Sequence, residues 1–189
     1  MELKEATRDS DCLFVRRLLA PLLAVAALAP TSVAASAQSP AAGAQRETAL
    51  EAALVTTING VRREHGLQPF AGSVKLSKAA TQHTREMGVA GYFEHESFDS
   101  TLFWKRIARW YPSKNWRWWS VGENLVYASP NLTARAAVEM WLNSPEHRAN
   151  MLSRTWREIG ISAIHFDAAP GEYDGQPVTI VTADFGSRR

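Results

Sequence analysis

The chain has 189 residues, 46% of them hydrophobic and 21% charged, with a formal net charge of +2. That balance excludes a disordered, collagenous or coiled-coil polypeptide and gives no support to wholesale nucleic-acid binding. The single cysteine, Cys12, excludes an internal disulfide and any thiolate-based zinc ribbon or finger, so a metal here requires His, Asp or Glu ligands.

Arg16 and Arg17 precede the apolar run Leu18 to Ala29, and Ala35-Ser36-Ala37 supplies a small-x-small cleavage site. This pattern predicts a secretory signal peptide over residues 1–37. The run is shorter than the roughly 20 residues a membrane-spanning helix needs. No second such run follows, so the processed chain is expected to be secreted or periplasmic, with no membrane span. The paired arginines suit either the twin-arginine exporter or the general one. Residues 38–47, rich in Ala, Gly, Ser and Gln, read as a flexible linker, and residues 48–189 as one domain. Cleavage removes Cys12, so that domain must be held by its core alone.

Leu50, Leu54, Ile58 and Val61 recur at helical spacing from Thr48 to about Glu64, and Gly66 ends that helix. A second helix is predicted from the cap Ser77 to about Ala90, with Leu76, Ala80, His83 and Met87 on its inner stripe. A third covers about Leu102 to Trp110, with Phe103, Ile107 and Trp110 on one side, and Tyr111-Pro112 stops it. A fourth starts at the cap Thr133 and reaches Asn143; a fifth, short one starts at Ser144-Pro145. Residues 159–166 and 178–185 are β-rich and separated by a turn-prone stretch, so they read as an antiparallel pair, with a third strand near residues 121–127. Helices first and strands last make an α+β fold.

No compact catalytic motif is present. Three polar, non-periodic stretches instead carry groups able to bind metal or move protons: Phe93-Glu94-His95-Glu96, Gly122-Glu123-Asn124-Leu125 and Ser144-Pro145-Glu146-His147-Arg148. Two imidazoles with carboxylates form a reasonable ligand set for zinc or another divalent cation, if folding brings them together. The last stretch is equally well explained as a helix start, with Ser144 capping, Pro145 presetting the turn and Glu146 complementing the dipole. In that first turn the dipole would keep His147 neutral. His83 reads as a hydrogen-bonded core histidine, and His65 and His165 as structural or exposed.

Residues 101–120 interleave Trp104, Trp110, Trp116, Trp118 and Trp119 with Lys105, Arg106, Arg109, Lys114 and Arg117, and contain no acid. Such a segment, Trp116, Trp118 and Trp119 above all, suits contact with lipid headgroups or glycans. Its plain alternative is one core tryptophan among solubilising cations. Asn131-Leu132-Thr133 fits the glycosylation pattern, and Thr133 as a helix cap explains it equally well.

Taken in order, Phe93-Glu94-His95, Gly122-Glu123-Asn124-Leu125, the run Trp141 to Leu152, Glu158-Ile159-Gly160-Ile161 and Thr182-Ala183-Asp184-Phe185-Gly186 resemble the CAP superfamily. That superfamily joins cysteine-rich secretory proteins, antigen 5 and pathogenesis-related class 1 proteins, and this chain resembles its bacterial SCP-like extracellular branch. The resemblance spans about Leu50 to Gly186. It implies a three-layer α-β-α sandwich around a small antiparallel sheet, with His95, Glu123 and His147 lining one cavity whose two histidines bind a divalent cation in some members. Many animal and plant members place a second Glu three positions after the helix tryptophan; counted from Trp141, that position is Ser144. The complete two-His, two-Glu set is therefore absent, and Glu146 is the carboxylate that would replace it in the cavity.

Three functions compete. The resemblance favours an exported binding module engaging a lipid, sterol or cell-envelope glycan. The alternatives are a metal-dependent hydrolase, with His95 and His147 as ligands and Glu123 as general base, and a structural protein with a vestigial site.

Overall fold

In the computed structural model the described residues are 3–4 and 43–189; the leader predicted over residues 1–37 lies outside them apart from Leu3–Lys4. Their elements, in chain order, are β1 (Leu3–Lys4), β2 (Gln45–Arg46), α1 (Thr48–Glu64), β3 (Ala71–Gly72), α2 (Val74–Ala90), α3 (Phe103–Trp110), β4 (Trp119–Ala128), α4 (Ala134–Asn143), α5 (Pro145–Met151), β5 (Glu158–Phe166) and β6 (Val178–Arg188). The long strands β4, β6 and β5 lie side by side, all antiparallel, with β6 in the centre. The two-residue strands trim the margins: β1 follows β4, while β2 and β3 both pair with β5, β3 in parallel.

Period-two alternation along the strands sends alternate side chains to opposite faces. On one face Val126, Ile161, Val181 and Phe185 pack against Leu54 and Ile58 of α1 and Val138 and Trp141 of α4. On the other, Leu125, Ile164, Phe166 and Ile180 meet Met87 of α2. Leu76 and Ala79 of α2 continue that layer with Ile107 of α3. The architecture is thus α+β, helices on both sides of a sheet, as expected. Gly160 lets α2 approach very closely: a Cβ there would lie 2.0 Å from the Ser77 nitrogen and 2.2 Å from the Leu76 carbonyl carbon.

Helix α1 matches the predicted bounds, and Thr133 caps α4, its Oγ1 accepting from the Ala136 N–H at 3.2 Å. Three expectations need correction. Helix α2 begins at Val74 with Ser73 at its cap, one turn before Ser77, because the Ser73 N–H is already anchored to the Ile159 carbonyl at 2.8 Å as the chain leaves β3. Residues 45–46, read as linker, pair with β5, and Arg46 makes a two-bond ion pair with Glu51 at 2.8 and 2.9 Å. Trp110, grouped with Phe103 and Ile107 on one side of α3, meets α2 through its indole N–H, which donates to Gln82 Oε1 at 2.8 Å, but stays exposed; the buried positions are Arg106 and Ile107.

Candidate functional site

An arginine on the inner side of a helix is costly unless a carboxylate meets it. Arg106 of α3 is fully buried, and its Nη2 donates to Glu123 Oε2. Glu123 comes from the middle of β4, on the sheet face that α2 and α3 cover. Arg106 Nη1 also donates to the His95 carbonyl at 2.9 Å and to Ser97 Oγ at 3.2 Å, so one guanidinium ties the loop after α2 to the sheet. His95 Nδ1 lies 2.9 Å from Glu123 Oε1. With its side chain 21% exposed against 1% for Glu123, His95 is the member of this cluster that solvent reaches. His83, buried as expected on α2, steadies the same loop: its Nε2 lies 2.9 Å from the Glu94 carbonyl oxygen.

Asp184 of β6 sits directly across from Glu123 in the ladder. It is fully buried, and neither carboxylate oxygen meets an N–H or hydroxyl donor among the described residues, which leaves the Glu123 carboxylate as its hydrogen-bonding neighbour. Burial, followed by the adjacent Glu123 charge, pushes the Asp184 carboxyl well above the ordinary range, against the pull of Arg106. Glu123 behaves oppositely. Burial alone would raise it, but Arg106, His83 and His95 together hold it down at about 2. The two neighbouring carboxyls are driven apart, Glu123 toward its ionised form and Asp184 toward its protonated one.

Helix α5 is stitched to β4 beside this cluster. Asn124 Nδ2 donates to the His147 carbonyl at 3.0 Å, and Asn150 Nδ2 donates to the Glu123 carbonyl at 3.1 Å and to Asn124 Oδ1 at 2.7 Å. His147 is buried in the first turn of α5, as is Ser144 at its cap, whose Oγ has no partner among the described residues. Glu146 is exposed and makes no hydrogen bond or ion pair among the described residues, so it does not replace the missing carboxylate in the buried cluster. The reason is helical geometry: burial of positions 147 and 151 turns position 146 outward.

Both oxygens of Glu123 are engaged, one by an imidazole and the other by a guanidinium that already supplies the positive charge a cation would bring. Among the described residues no three or more His, Cys, Asp or Glu side chains converge as metal ligands. As arranged here, these residues do not fit a metal ion.

In the aromatic segment, Trp116 and Trp118 are exposed, with the guanidinium carbons of Arg188 and Arg189 at 5.1 and 4.9 Å from their respective rings. Trp119 has a structural role: it lies partly buried against the core, and its indole N–H donates to the Tyr111 carbonyl at 2.9 Å. Sequence reasoning missed Arg106 and Asp184. The first was legible as a cation one place before the inward Ile107 in a stretch with no acid to pair it, and the second as a lone acid within an apolar β-run.

The sequence pattern of the cysteine-rich secretory protein family, CAP, matches residues 55–184. Protein YkwD of Bacillus subtilis (strain 168) is 29% identical over 119 residues, covering 62% of this chain and 43% of that protein. The chain therefore spans less than half the length of that relative. Among solved structures, an extracellular protein containing an SCP domain from Bacillus anthracis str. Ames is 25% identical, with a TM-score of 0.56, over 74% of this chain and 40% of its own. An outer surface protein of Borrelia burgdorferi shares the fold at 21% identity, with a TM-score of 0.59, over 77% of this chain and 98% of its own.

Proposed function

Because the chain belongs to the CAP, or cysteine-rich secretory protein, family, we propose that it is an exported binding module engaging a lipid or another cell-envelope component through its aromatic, basic segment. One observation carries this reading. Of the large hydrophobic side chains exposed among the described residues, Phe98, Leu102, Trp104, Trp110, Trp116 and Trp118 all fall within residues 98–118, and only Val74 and Val89 lie elsewhere. A scatter needs no explanation, whereas a concentration of exposed aromatic surface marks a contact site. Its cations, Lys105, Arg109, Lys114 and Arg117 with Arg188 and Arg189, favour an anionic partner over a neutral sterol. No helix among the described residues is long and apolar enough to cross a membrane, so contact by this segment is peripheral.

The protein is expected to cosediment with phosphatidylglycerol-containing vesicles and to be released by salt. Trp116→Ala/Trp118→Ala should abolish most of that retention, and His95→Ala should leave it intact. Equal retention of the tryptophan variant would sink the proposal.

The hydrolase reading asks Glu123 to act as general base, and efficient bases titrate near the working pH. Held at about 2, against its burial, by Arg106 first and then by His83 and His95, Glu123 is a poor one. Peptide hydrolysis that disappears in Glu123→Gln would restore that reading. Zinc affinity that falls in His95→Ala/His147→Ala would restore the cavity cation.

A further inference from the structure

A separate cleft lies where the end of α1 meets the stretch after α5. Arg62, Gly66, Leu67, Gln68, Arg154 and Arg157 line it, around a volume of about 280 Å³. Among the described residues its lining contains three arginines and no acid.

Arg62 is the built part of this site. It is 1% exposed, and its guanidinium carbon stacks 3.6 Å from the centre of the Phe70 ring. Its Nε donates to the Gln68 carbonyl at 2.9 Å, and its Nη1 to the carbonyls of Met151 at 2.6 Å and Ser153 at 3.0 Å. Every partner is uncharged. These bonds fix the plane of the guanidinium while leaving its full charge uncompensated, and Nη2 makes no hydrogen bond within the described residues. Buried charges are ordinarily paired, so a buried arginine without a carboxylate calls for a counter-charge from outside.

The neighbours deepen that deficit. Arg157 also lines the cleft, its Nη1 donating to the carbonyls of Arg154 at 2.6 Å and Trp156 at 3.2 Å, and among the described residues neither Arg154 nor Arg157 has an acidic partner. Burial, followed by the charge of Arg157, lowers Arg62 to about 10. Gly66, in the left-handed region at φ +66°, leaves open space where a side chain would stand.

We infer that this three-arginine cleft binds a phosphate group. Planar guanidinium forks match phosphate oxygens with paired, charge-assisted bonds. A dianionic phosphate also balances several converging cations better than a single carboxylate does. Free inorganic phosphate and a phosphomonoester on a lipid headgroup offer the same chemistry. The site is distinct from the aromatic segment and does not depend on it.

Calorimetry on the whole protein with inorganic phosphate, at ionic strength fixed with sodium chloride, tests this directly. Saturable binding is expected, weakened about tenfold or more in Arg154→Gln/Arg157→Gln, given what a hydrogen bond to a charged group contributes, and unchanged in Trp116→Ala/Trp118→Ala. Both arginines are exposed, so the variant should melt with the wild type; Arg154→Gln alone, which removes no hydrogen bond seen here, serves as a milder second variant. Vesicles of phosphatidic acid in phosphatidylcholine distinguish the sources. Retention that the arginine variant loses and free phosphate competes away identifies a lipid phosphate; retention indifferent to both, alongside saturable phosphate binding, identifies the free ion. Absence of saturable binding by the wild type, or equal binding by wild type and double variant, overturns the inference.

Discussion

Replacing Glu123 by Gln leaves the Arg106 guanidinium buried without its counter-charge. Breaking one side of a buried pair is expected to cost about 3–5 kcal/mol, measured by urea unfolding at neutral pH. Acid should reproduce part of that loss. Because the Glu123 carboxyl is depressed to about 2 in the fold, the stability it contributes is present above its ordinary value of 4.5 and fades as pH falls toward 2. Asp184 has the opposite sign. Its carboxyl is raised, so from 3.8 upward the unfolded chain ionises while the native protein keeps the proton, and rising pH erodes stability until the raised value is passed. Asp184→Asn removes that proton linkage. The variant should gain on the wild type by up to about 1.4 kcal/mol per pH unit across that window, read from melting curves at a series of pH values. A difference independent of pH would mean that Asp184 is already ionised in the native protein.

At the scale of elements, the decisive contact is α2 lying directly on the sheet at Gly160. A methyl group there meets backbone atoms of Leu76 and Ser77, which cannot turn aside as a side chain tip can. Gly160→Ala should therefore destabilise by about 1–3 kcal/mol or more. Gly72→Ala in β3, where a Cβ meets nothing within 4 Å, should stay within about 0.5 kcal/mol. Chemical denaturation of the two variants side by side checks the contrast. The displacement of α2 would also be felt at the site, since His83 on that helix anchors the loop carrying His95. The elements themselves were largely readable: helical spacing set α1 and α4, Pro145 set the start of α5, and β-branched runs set β5 and β6. The start of α2 was not. Ser73 and Ser77 are equivalent caps by local chemistry, and only the pairing of the preceding chain with β5 selects Ser73.

Across the whole molecule, β6 is flanked by two long strands and covered on both faces, whereas β2 and β3 are two-residue edges. Amide exchange should be slowest in the middle of β6, around Val181 to Ala183, and fastest at Gln45, Arg46, Ala71 and Gly72. Faster exchange in β6 than in α1 would contradict this layered core.

What the sequence determined by itself was the order and type of the elements, the α+β class and the aromatic, basic segment, because periodicity, caps and composition are local properties. It also marked His95, Glu123 and His147 as candidates. Only the tertiary structure decided their company. It set His95 directly against Glu123 with Arg106 bonded to both, set Asp184 against Glu123 across the ladder, turned Glu146 outward and gathered Arg62, Arg154 and Arg157 around one cleft. Apart from Arg154 and Arg157, those groups come from separate stretches of the chain, and which charge neutralises which is settled by strand register and helix rotation. Neither is written in local spacing.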